Sequence, residues 1–146
     1  GGHGFDVKQA TCVACHASAT SFDIKNGQTG DWDGDAAIEG VQSEVSGCLD
    51  RLRTAILAAA PSVPGTAVTW DGSRYFLIGN ATTAAGSANT NLLDATADAA
   101  LLRAMFNFYF VNHDKSKGVH NTTYAVQLLQ KSYKELTATE MSPTLR

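Results

Sequence analysis

Cys12-Val13-Ala14-Cys15-His16 carries more chemistry than any other five residues of this chain. Two thiols two residues apart, followed at once by a histidine, form the attachment signature of a c-type haem. The thiols add across the haem vinyl groups, and the adjacent imidazole becomes the first axial ligand of the iron. A zinc site would need a second ligand pair, and the only other cysteine, Cys48, has none beside it. A thioredoxin-like dithiol would need the motif inside a βαβ unit, and no strand pattern precedes Cys12. The expected fold is therefore mainly α: three or so helices packed around one covalent haem c, with a small β-hairpin.

Outward from that motif, 146 residues fit one domain, here a single c-type cytochrome domain over 1–146. Hydrophobic residues make up 44% and charged residues 17%, a globular composition. The net charge is −3, which haem propionates would deepen, so a nucleic-acid partner is not expected. No apolar run approaches the roughly 20 residues of a membrane span. Haem is joined to this motif outside the cytoplasm, so the protein is expected in the periplasm or at the cell exterior. Gly1-Gly2-His3-Gly4 is read as a mature amino terminus left by a removed leader. Cys48 is expected to be a small buried apolar residue.

Periodicity supplies the remaining elements. Residues 8–18 are read as a short helix and 19–34 as a loop. Ile38, Val41, Val45, Leu49, Leu52 and Ile56 form one stripe of a helix over 36–60, with Glu44, Asp50, Arg51 and Arg53 on other faces. Pro61 and Pro64 end it. Two β-prone runs, 67–70 and 75–78, flank Asp71-Gly72 and predict a hairpin. A second helix is expected over 92–111, its stripe being Leu93, Ala97, Leu101, Met105 and Phe108. Phe106, Tyr109 and Phe110 are assigned to helix–helix packing as well. A turn at Gly118 leads to a third helix over 122–136, and the tail after Thr137 is expected to fray.

Asp31-Trp32-Asp33-Gly34-Asp35, followed by Glu39, resembles an EF-hand-type calcium loop. Asp31, Asp33 and Asp35 would take the first three ligand positions, the Ala37 carbonyl the next, and Glu39 the ninth. The chain departs from that pattern at Ala36, where the loop has glycine, and at Gln42, where it has glutamate. The other reading is a solvated acidic turn whose Asp35 caps the following helix. Three more histidines stand as axial-ligand candidates. His3 is either a free terminal residue or a ligand within this subunit or to a neighbour's haem. His113 and His120 flank the turn before the third helix.

Residues 107–132 join an aromatic helix, the turn Asp114-Lys115-Ser116-Lys117-Gly118-Val119-His120-Asn121, and a helix carrying Leu128-Leu129. This segment resembles the carboxy-terminal region of bacterial and archaeal multihaem c-type cytochromes. Those include relatives of the pentahaem nitrite reductases and extracellular electron-transfer cytochromes. The resemblance nominates His120 as the second axial ligand, leaves His113 behind it, and makes Asn121 a cap. This chain has a single C-x-x-C-H where that group has several. The function it implies is electron transfer by a bis-histidine monohaem cytochrome, not an enzyme, serving redox partner proteins. A homo-oligomer or filament that stacks haems head to tail would extend the path. The alternatives are a haem enzyme or gas sensor with an open iron site, and a structural surface subunit stapled by haem.

Overall fold

Three runs of apolar residues at three- and four-residue spacing become three helices. In the computed structural model, which describes residues 8–17, 19–25, 30–80, 92–119 and 121–143, they are α1 (Val41–Ala58), α2 (Ala99–His113) and α3 (Thr122–Thr137). Each packs on the other two. Val45, Cys48, Leu49, Leu52 and Ile56 of α1 meet Leu101, Ala104, Met105, Phe108 and Val111 of α2. Ala125, Val126 and Leu129 of α3 close the core. Cys48 is fully buried, as expected of a lone thiol among apolar neighbours, and burial raises its pKa above the ordinary thiol value. The Asn121 side chain accepts the Tyr124 N–H and caps α3.

Two helices begin later than periodicity suggests, for one physical reason. Aspartate side chains compete for the backbone N–H groups that a first helical turn would leave free. Asp31 accepts from Gly34, Asp35 and Ala36, and Asp35 accepts from Ala37. Residues 36–40 therefore stay outside α1, and Ile38 drops off the stripe and is exposed. Before α2, Asp94 accepts the N–H groups of Thr96 and Ala97 and fixes a turn where helix was expected. The amino-terminal helix shrinks to a single 3-10 turn over Gln9–Thr11 followed by plain turns.

The hairpin forms with β1 (Thr66–Trp70) antiparallel to β2 (Phe76–Asn80), Trp70 opposite Phe76. Its connection is five residues long, because the Asp71 carboxylate gathers the N–H groups of Ser73, Arg74 and Tyr75. Two strands alone are marginal. These are held by Phe76 against Phe108 at 5.1 Å, Trp70 against Phe108 at 5.5 Å, and the Phe76 N–H donating to the Tyr109 hydroxyl.

Two packing expectations fail. Phe106 and Phe110 are 68% and 53% exposed. They lie one helical turn apart on the face of α2 away from Leu101, Met105 and Phe108 and so stay out of the core, although Phe110 meets Tyr124 of α3 edge-on at 5.9 Å. The tail does not fray at once. Met141 and Ser142 are buried; the Arg51 guanidinium donates to the Met141 carbonyl, and the Ser142 hydroxyl donates to the Asp31 carbonyl. Among the described residues no helix is long and apolar enough to cross a membrane.

Candidate functional site

The thiol motif is shaped by its own backbone. Cys12 N–H donates to the Gln9 carbonyl at 2.8 Å, and the N–H groups of Cys15 and His16 both donate to the Cys12 carbonyl at 3.1 and 2.9 Å. Both thiols thus ride on one turn. Both are free, Cys12 half-buried and Cys15 exposed. Two further bonds close the segment behind them. Ala19 N–H donates to the His16 carbonyl at 2.8 Å, and the Gln9 side-chain amide donates to the Ala19 carbonyl at 2.7 Å.

His16 lines a cleft of about 200 Å³. The other walls are Phe22 and Ile24 from the following loop, Val41 at the start of α1, and Val119 and Thr122 from the entry to α3. Residues more than 100 positions apart in the chain meet there. Val119 and Thr122 flank position 120 in the sequence. His120 and His3 themselves lie outside the described residues. His113 is described, and it sits elsewhere. It ends α2, exposed, stacked on Tyr109 at 5.8 Å and edge-on to Tyr75 at 6.5 Å. It is not among the residues lining the His16 cleft.

A second constellation lies at the acidic turn. Carboxylate oxygens of Asp31, Asp33 and Glu44 all fall within 4.8 Å of one another. Asp35 and Glu39, proposed from sequence as fellow ligands, are exposed and stand outside that trio. They line a neighbouring cleft with Asp23, Asp33 and Lys117. Ala36 has φ +74°, the left-handed conformation that the calcium-loop pattern assigns to glycine at this position.

Glu44 is the member that sequence reading missed. Its charge predicts an outer face of α1, yet it is 0% exposed. Its carboxylate accepts the N–H groups of Trp32, Asp33 and Glu39 and so organises the whole turn from within. A signal existed: position 44 follows Val41 by three and precedes Cys48 by four, the spacing of the buried stripe. The turn lies so close to α1 that a Cβ on Gly47 would fall 1.6 Å from an Asp33 oxygen. Burial lifts the Asp33 carboxyl to about 6 despite the Asp35 N–H bond, and the charges of Asp35 and Glu44 push the same way. Asp31 goes down. Burial works to raise it, but the N–H groups of Ala36, Gly34 and Asp35 prevail.

Compared with protein families, curated proteins and solved structures, the chain shows no significant match.

Proposed function

We propose that this protein is an electron-transfer c-type cytochrome domain, its haem joined to Cys12 and Cys15, with His16 and His120 as axial ligands. One observation carries this. His16, next to the thiols, lines the same apolar cleft as Val119 and Thr122, which lie one residue before and two residues after His120 in the chain. The donor set suits the group: two free thiols on one turn, an imidazole beside them, and aliphatic and aromatic walls. A bound haem supplies a one-electron iron couple.

The chain's own contribution is then to hold and to exclude. Cys12 and Cys15 would tether the haem, His16 and His120 would hold its iron, and Phe22, Ile24, Val41 and Val119 would keep water off. Two protein imidazoles leave no coordination position for substrate, which favours electron exchange over catalysis. The partners are redox proteins or further copies of this chain stacked head to tail, outside the cytoplasm. The resemblance of residues 107–132 to multihaem cytochromes supports the same role.

The test is spectroscopic. His120→Ala should turn a low-spin haem high-spin, and His113→Ala should leave it low-spin. The reverse pair would transfer the ligand role to His113. Mass spectrometry of the exported protein with no covalent porphyrin would end the proposal.

The acidic turn supports a companion proposal, a calcium ion held by Asp31, Asp33 and Glu44. Calcium–oxygen distances of about 2.3–2.6 Å put opposite ligands about 5 Å apart. The 4.8 Å spread of this trio admits that.

A further inference from the structure

The amino terminus of α1 has no cap of its own. Position 40 is glycine and contributes no side chain. All four of the helix's first N–H groups nevertheless find acceptors. Val41 donates to the Ile24 carbonyl at 3.3 Å and Glu44 to the Gly40 carbonyl at 3.0 Å. Gln42 and Ser43 both donate to Asp23 Oδ1, at 2.9 and 3.0 Å, and the Ser43 hydroxyl donates to Asp23 Oδ2 at 2.6 Å. Asp23 is thus a cap supplied from about 20 residues upstream. Its negative charge on a helix amino terminus is favourable in itself.

What makes this more than a cap is its neighbours. Phe22 and Ile24, on either side of Asp23 in the chain, both line the His16 cleft. Between them, Asp23 turns to the helix. The Ile24 N–H donates to the Phe22 carbonyl at 3.0 Å, closing a tight turn around Asp23, so the side chain that docks the segment and the side chains that wall the cleft sit on one three-residue bend. Gly40 records how close the docking is, since a Cβ there would lie 2.2 Å from Asp23 Oδ1.

We infer that Asp23 is a positioning residue of the haem cleft. By seating residues 22–24 on α1 it holds the Phe22–Ile24 wall shut, and so controls solvent and ligand access to the iron. This rests on the haem assignment above. Burial and solvent exposure set the potential of a haem, so a loosened wall is read in the potential as well as in access.

The experiment uses the exported holoprotein and its Asp23→Ala, Asp23→Asn and Gly40→Ala variants. Covalent porphyrin is measured first; then the rate at which added imidazole or carbon monoxide displaces a protein imidazole from the iron, the midpoint potential, and thermal unfolding. Asp23→Ala should speed ligand capture roughly fivefold, the population factor of one lost helix cap, and shift the potential. Gly40→Ala, which pushes the carboxylate off the helix, should do the same. Asp23→Asn keeps an acceptor for both N–H groups and should restore near-native access.

Unfolding temperatures that fall while access and potential stay native would make Asp23 a structural cap only and overturn the inference, with the haem assignment intact. Absence of porphyrin in the parent protein would overturn both. Should Asp23→Ala not fold, Ser43→Ala removes one bond of the three and must raise access by a smaller factor; unchanged access there is equally decisive.

Discussion

In the three-helix body, Leu52, Ile56, Phe108 and Leu129 are almost wholly enclosed. In residues 8–25, no described side chain joins the core, and Val13 and Phe22 are 40% and 36% exposed. The body is held by apolar burial, which is non-directional and large. The thiol-bearing segment is held by a few directional bonds, from Gln9 to Ala19, from Ala19 to His16, and from α1 to Asp23 and Ile24. The thiol motif is thus mounted on a segment that contributes no described side chain to the core. Such a segment gains most from a ligand that brings its own apolar surface.

The largest expected effect tests that contrast directly. Phe108→Ala opens a cavity beneath the hairpin and should cost about 3–5 kcal/mol, read by denaturant unfolding. Phe22→Ala in the haem-free chain should cost about 1 kcal/mol or less. A comparable loss at both would erase the distinction between the two regions.

The acidic turn lies at their junction, bonded to α1 and to the tail, so a calcium ion held there would act on both. At about 100 times its dissociation constant, calcium should add about 2.7 kcal/mol, seen as several degrees in thermal unfolding. Glu44→Gln should abolish the gain. An unfolding temperature indifferent to calcium would leave the turn to its backbone N–H donors.

A smaller effect distinguishes the acidic turn from its counterpart before α2. Burial works to raise the Asp98 carboxyl, yet the Ser62 and Asp94 N–H groups and the Ser62 hydroxyl hold it below the ordinary 3.8. A carboxylate whose folded pKa is depressed stabilises above its unfolded pKa and loses that contribution as pH falls through the folded one. Asp98→Asn cannot accept at both atoms and should weaken folding at neutral pH. Its deficit against the parent should shrink below about pH 4. A deficit constant from pH 7 to 3 would show that the charge of Asp98 is irrelevant.

Much of the body was legible in residue spacing. The stripes through Val45, Leu49, Leu52 and Ile56, and through Leu101, Met105 and Phe108, appear as buried faces, and the Asp71-Gly72 hairpin forms. What misled were positions where a local pattern met a competing partner. Ile38 fits the helical period, but aspartates had claimed the N–H groups around it. Phe106 and Phe110 are large and apolar, but they stand on the side of α2 away from its core stripe, where both stay exposed and Tyr124 meets only the edge of Phe110. Glu44 is charged, but the N–H groups of Trp32, Asp33 and Glu39 await it.

By itself, the sequence determined the thiol–imidazole motif, the three helical periods and the acidic turn, because each is encoded by residues within reach of one another along the chain. Only the tertiary structure decided that Glu44 points inward, that Asp23 caps a helix 18 residues further on, and that His16 shares a cleft with Val119 and Thr122. Those juxtapositions depend on how α1 and α3 pack, and packing is a property of the whole core rather than of any short segment.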